Sequence, residues 1–147
     1  MREILVEDFL VHGGIQHLLQ FENKQQLVHS YHPSWIDTLK KGKSRVCYLS
    51  MYGTLELTFD REELVLEHYD FEQNTPSEKG IIVLNSDHFY FAAEIDSVRK
   101  SLSQFRLIEV AVDCPTDEHC VLTLEQGVKI QFLERKLFSL DIYHASL

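Results

Sequence analysis

The side chains that could hold a metal or move a proton in this 147-residue chain are eight histidines, three cysteines and 23 carboxylates. The histidines are scattered: His12, His17, His29, His32, His68, His88, His119 and His144 include no H-E-x-x-H pair. His29 and His32 stand three apart at a predicted helix end, where both can face one ion, but two ligands leave a zinc site incomplete. Cys114, His119 and Cys120 lie close in sequence, yet the spacing between the thiols is wider than the short paired spacings of metal signatures. Nucleophilic catalysis needs G-x-S-x-G, or a cysteine in an electropositive setting with a base nearby, and neither is present. Six glycines spread along the chain make no phosphate cradle. The reading is therefore of no catalytic residue, no cofactor site and no metal site, and of a protein that is not an enzyme.

One constellation could serve binding. Asp60, Glu62, Glu63, Glu67, Asp70 and Glu72 form an acidic ribbon on and after a predicted hairpin turn, with Tyr69 and Phe71 interspersed. Carboxylates steer basic partners and suppress wrong pairings, while aromatic anchors carry much of the energy of an interface. The expected partner is a basic protein, and the partner-binding residues are those six carboxylates together with Tyr69. The opposing view is that strand aromatics are core and turn carboxylates are merely solvated.

Charge narrows the partner class further. The net charge is −9, divided between −5 before residue 75 (7 basic, 12 acidic) and −4 after it (7 basic, 11 acidic). Such a surface repels phosphate backbones, which argues against nucleic acid. The exception is Lys40-Lys41-Gly42-Lys43-Ser44-Arg45, read as a solvated loop. No apolar run approaches the roughly 20 residues of a membrane helix, and Met1 to Asp8 mixes charges into the positions where an export signal is apolar. The expectation is a cytoplasmic protein with reduced, buried thiols and no membrane contact. A homodimer is allowed.

The elements that must position these residues are those of an α+β fold. Apolar residues at 5, 6, 9 and 10 predict a short helix over Glu3–Val11, stopped by Gly13-Gly14. Asn23 predicts the cap of a second helix, ended by Pro33. From Val46 to Phe71 the period becomes two. Leu55, Leu57 and Phe59 alternate with polar residues, a four-residue connection Asp60–Glu63 follows, and Leu64, Leu66 and His68 alternate with Val65 and Glu67. The Pro/Gly-bearing segment at 74–80 is the one junction. Beyond it come a short strand Ile81–Leu84, a helix with Ile95, Val98, Leu102 and Phe105 on one face, and strands over Arg106–Val112, Cys120–Leu124, Val128–Phe132 and Leu137–Tyr143.

Laying the second hairpin on the first aligns Phe59-x4-Leu64 with Phe132-x4-Leu137 at an offset of 73, and Leu55 and Leu57 with Val128 and Ile130. The preceding helices obey nearly the same offset, although Gly53 meets Gln126 and Gly127 slips by one. Two tandem helix-plus-antiparallel-sheet modules are expected, 1–74 and 75–147, each exposing a sheet face too small to stand alone and so sharing one core or sheet.

The run Tyr52-Gly53-Thr54-Leu55-Glu56-Leu57-Thr58-Phe59, followed by Leu64, resembles a Tyr-Gly-x-Leu-Glu-hydrophobic-x-Phe signature of small bacterial proteins, some of them immunity-like partners of secreted toxins. The similarity covers residues 21–71, including a loop bearing Trp35, and departs from the family's Leu-Gly-x-Pro at His32-Pro33-Ser34-Trp35. The tandem layout is similar to that of the beta-lactamase inhibitor protein, which binds its target across a concave sheet; that resemblance covers the layout alone. Together they imply a non-enzymatic protein-binding module, immunity-like, that neutralises a basic protein partner by occluding it. The alternatives are a small enzyme or ligand binder with a pocket between the modules, using His68 and nearby carboxylates as acid and base, and a self-assembling structural subunit.

Overall fold

The computed structural model describes residues 2–41, 45–73, 80–116 and 118–144. The chain runs β1 (Arg2–Leu5), α1 (Val6–Val11), α2 (Ile15–Leu19), α3 (Lys24–Ser30), β2 (Trp35–Lys41), β3 (Arg45–Tyr52), β4 (Leu55–Asp60) and β5 (Glu63–Asp70). It then repeats the theme with β6 (Ile81–Leu84), α4 (Ile95–Gln104), β7 (Glu109–Thr116), β8 (His119–Leu124), β9 (Val128–Leu133) and β10 (Lys136–Tyr143). Eight strands form one antiparallel sheet in the order β2-β3-β4-β5-β10-β9-β8-β7, and β1 pairs with β6 in a separate parallel ribbon. The architecture is α+β: two four-stranded meanders, each preceded by helix, joined into one sheet through β5 and β10.

The 73-residue offset is written into the backbone. It carries Leu55–Asp60 onto Val128–Leu133 and Glu63–Asp70 onto Lys136–Tyr143, residue for residue. It also carries a β-bulge onto a β-bulge. Thr58 faces Leu66 and Phe59 faces Leu64, leaving Val65 as the extra residue; Gln131 faces Ser139 and Phe132 faces Leu137, leaving Phe138. Each hairpin turn is two residues, Arg61-Glu62 or Glu134-Arg135, because Asp60 pairs with Glu63 and Leu133 with Lys136. That is tighter than the four-residue connection expected, and positive φ at Arg61, Glu134 and Arg135 allows it. The slip at Gly127 has a simple cause. The β8–β9 loop holds three residues and closes with the Gly127 N–H on the Leu124 carbonyl, whereas Gly53-Thr54 joins β3 to β4 in two.

Along the β5–β10 seam Leu66 faces Tyr143, Glu67 faces Ile142, His68 faces Asp141, Tyr69 faces Leu140 and Asp70 faces Ser139. The offset exchanges these pairs with one another and maps His68–Asp141 onto itself. An approximate two-fold axis therefore passes through that pair. Both hairpin turns also receive a helix in the same way: the Lys24 N–H donates to the Glu62 carbonyl and the Ile95 N–H to the Arg135 carbonyl, each at 2.9 Å.

One face of the sheet carries the core. Leu55, Leu57, Phe59, Leu64 and Tyr69 from the first meander, with Val128, Ile130, Phe132, Leu137, Leu140 and Ile142 from the second, join Phe9, Leu10, Ile15, Leu27, Ile95, Val98 and Leu102 of the helices in a single cluster. The amphipathic face predicted for α4 is thus the buried one. Asn23 caps α3 as expected, its Oδ1 accepting the Gln26 N–H at 2.9 Å.

Three features differ from the sequence reading. Residues 2–5 form a strand instead of the start of a helix, because β6 offers a parallel partner 79 residues away in register, Arg2 against Ile81. Trp35 opens a strand where a loop was expected, paired with β3 from Trp35–Met51 to Lys41–Arg45. Cys114 and Cys120 are joined by a disulfide across the β7–β8 hairpin, replacing the expected pair of reduced thiols. The junction at 74–79 and residues 42–44 of the basic run lie outside the described residues.

Candidate binding face

Among the described residues, no helix packs on the second face of the eight-stranded sheet. Its side chains are those that alternate with the core: Glu56, Thr58 and Asp60 on β4, Leu66, His68 and Asp70 on β5, Phe138, Ser139, Asp141 and Tyr143 on β10, and Lys129, Gln131 and Leu133 on β9. None of them is in the core cluster. Most are half-buried, while Lys129, Leu133 and Tyr143 are exposed.

A hydrogen-bonded chain crosses the middle of this face over four strands. His119 Nε2 donates to Gln131 Oε1 at 3.2 Å, Gln131 Nε2 donates to Asp141 Oδ2, and His68 Nδ1 donates to Asp141 Oδ1 at 2.6 Å. Asp141 is almost buried, its side chain 8% exposed, so its charge is held by the two donors that flank it. The hydrogen bond that His68 donates to Asp141 raises the His68 pKa above its usual value, opposed by burial and aided by the charges of Asp141, Glu56 and Asp70. His68 therefore sits at the symmetry axis in a setting that favours the imidazolium. The arrangement can hold a proton. Among the described residues no three histidines, cysteines or carboxylates gather as a metal site. His29 and His32 do come together, lining an open depression of about 600 Å³ with Lys24, Gln25, Val28 and Glu62.

The acidic ribbon does not form one surface. Glu67 is fully buried on the core side, accepting the Ile15 N–H at 2.6 Å and His144 Nε2 at 2.6 Å. Tyr69 is fully buried as well, its hydroxyl bonded to Asn85 Oδ1 at 2.8 Å. Neither can touch a partner, which corrects their assignment as contact residues. Glu62 turns toward α3, accepting the Gln25 N–H at 3.1 Å and pairing with Lys24 at 3.7 Å. Glu63 is exposed at the same turn, while Asp70 and Glu72 lie at the far end of β5, roughly 25 Å away at the usual rise of a strand. Asp60 and Asp70 do lie on the uncovered face, and between them stands Glu56, which the sequence reading passed over. Its signal in the sequence was the alternation of Glu56 between Leu55 and Leu57, and in the structure it faces His68 across the ladder.

At the Asp70 end the face runs into a cavity of about 420 Å³ bounded by Asp70, Glu72, Phe91, Leu133, Lys136 and Phe138. Phe91 is 46% and Leu133 52% exposed, so the walls offer apolar surface to solvent. The loop carrying Phe91 is fixed from behind. The Ala92 N–H donates to the Leu137 carbonyl at 2.8 Å, and Ala92 adopts φ +65°, a conformation that L-residues with a Cβ rarely hold. The two halves themselves meet as paired strands, so the seam is not a cleft.

No family model matches the chain, and no curated protein or solved structure shows significant similarity to it.

Proposed function

We propose that the chain is a non-enzymatic protein-binding module, immunity-like in role, that occludes a basic protein partner with the uncovered face of its sheet. The observation that carries this reading is the one-sidedness of an eight-stranded sheet: helices take one face, and the other bears Glu56, Asp60 and Asp70 on its first half with exposed apolar side chains at one end. Contiguous exposed apolar surface rimmed by charge marks interaction sites, and a rigid sheet presents it at little entropic cost. Comparison of the halves supports the same view. Core positions related by the offset stay alike (Phe59 and Phe132, Leu64 and Leu137), while facing positions diverge (Glu56 and Lys129, His68 and Asp141, Asp60 and Leu133). A surface freed from packing has taken on an asymmetric character.

The contact residues of the proposal are Asp60, Glu63, Asp70 and Glu72 from the ribbon, with Glu56 added. The test uses basic proteins encoded beside this one, with association followed optically at several salt concentrations. Binding should slow as salt rises, and Glu56→Lys with Asp60→Lys should slow it by about tenfold while flattening the salt dependence. A partner bound equally fast by that variant would remove the carboxylates from the account, and absence of binding to any such protein would end it.

No helix among the described residues is long and apolar enough to cross a membrane. The cytoplasmic part of the proposal is separate from the binding reading and is tested at the Cys114–Cys120 disulfide, a bond rarely kept where thiols are held reduced. In acid-quenched cells alkylated before lysis, labelling of both cysteines supports the cytoplasm, and blockage of both places the protein in an oxidising compartment instead.

A further inference from the structure

The cavity at the end of the uncovered face combines four features that the proposed function does not by itself require. Its walls are apolar and in part aromatic, formed by Phe91, Phe138 and Leu133. Two carboxylates, Asp70 and Glu72, stand on its rim against one ammonium, Lys136, leaving an excess negative charge. Asp70 is already oriented, its Oδ1 accepting the Glu72 N–H at 2.9 Å. Beside it lies a polar group without a partner: the Ser139 hydroxyl, across the ladder from Asp70 and next to Phe138 in the chain, is buried with no hydrogen bond.

Planar cations suit such a place. A guanidinium presents several N–H donors in a fixed plane, stacks on aromatic faces, and is more weakly hydrated than an ammonium, so it loses less on entering a half-dry site. A carboxylate takes two of its donors at once. The aliphatic stem of the same side chain covers apolar wall. The volume exceeds that of one side chain, leaving space for an apolar neighbour against Leu133.

We propose that this cavity receives an arginine, with an adjacent aliphatic residue, from a loop of the basic protein partner. The proposal rests on the protein-binding reading and deepens it by naming the point of attachment. Phe91 and Phe138 sandwich or flank the guanidinium, Asp70 and Glu72 accept its hydrogen bonds, and the positive-φ Ala92 holds Phe91 in place.

The test needs no identified partner. The ¹⁵N-labelled chain is titrated with the blocked dipeptide N-acetyl-leucyl-arginine amide, and in parallel with its lysine and glutamate counterparts. Amide shifts should concentrate at Phe91, Ala92, Leu133 and Lys136–Ser139, with the arginine form binding more tightly than the lysine form and the glutamate form not at all. Asp70→Asn with Glu72→Gln should weaken the arginine dipeptide by about fivefold or more, in keeping with charged hydrogen bonds. Phe91→Ala, an exposed position whose loss leaves the fold intact, should weaken it similarly. Equal response to all three dipeptides, shifts confined to the depression around His29 and Glu62, or no saturable shift overturns the proposal. Those outcomes leave the wider reading standing, since that is decided by association of whole basic proteins and by Glu56, which is outside the cavity.

Discussion

Glu67 shows how a single residue can be misjudged when its strand is read by alternation alone. A regular period of two puts Leu64, Leu66 and His68 on one face and Glu67 on the other. The bulge at Val65 shifts the phase by one, so Leu64, Glu67 and Tyr69 share the core side, and the carboxylate finds the Ile15 N–H and His144 there. A bulge leaves no mark in composition, which is why the ribbon looked continuous. Gly14 makes room for that carboxylate: a Cβ there would lie 2.2 Å from Glu67 Oε2, and its φ is +119°. Gly14→Ala should therefore destabilise by about 3 kcal/mol or more in urea titration, against about 1 kcal/mol for Gly13→Ala, whose Cβ would meet open space. Glu67→Leu should cost about 2–4 kcal/mol, because it orphans a buried N–H. His68 gives a pH signature. Its folded pKa lies above the ordinary value, so the stability it contributes is fully present below pH of about 6.5 and is lost as pH rises through the higher folded pKa. His68→Gln should thus lower the urea midpoint most at mildly acidic pH, and the two curves should converge in alkali.

At the scale of elements, what the sequence disclosed was what is local. The hairpins, the Asn23 cap and the α4 face each rest on neighbours within a few residues, and all are present. β1 escaped notice because its reason for being a strand is a distant partner, and β2, although it pairs with the adjacent β3, because its apolar residues at 35, 36 and 39 do not alternate. Val6 and Phe9 read as helical, and the pairing of Ile4 with Val83 is invisible from Arg2–Leu5 alone. The disulfide escaped for a related reason: five intervening residues fit neither a metal motif nor a framework, and only the hairpin brings Cys114 to Cys120. Phe59 and Phe132, both fully buried, should behave as counterparts, each losing about 3–5 kcal/mol on replacement by Ala. A large inequality, measured by chemical denaturation, would mean that the halves are packed by different rules. Ala92→Gly should stabilise the fold by about 1 kcal/mol by relieving its positive φ, and should loosen Phe91 at the same time.

Taken whole, the molecule is one sheet with two like halves and two unlike surfaces. The candidate face was only half legible. Its acidic residues could be read, but their separation by the bulge, the burial of Glu67 and Tyr69, and the cavity beside Phe91 arise from three-dimensional packing of segments far apart in sequence. The seam carries a further consequence. Two strands of nearly the same shape meet edge to edge at β5 and β10, so each has the form to clasp its own twin from a second molecule. In such a twin arrangement the axis would bring imidazolium against imidazolium, or one nearly water-free aspartate against another. Only the mixed union sets opposite charges face to face, and His68 with Asp141 thereby acts as a lock that recognises its key within the same polypeptide.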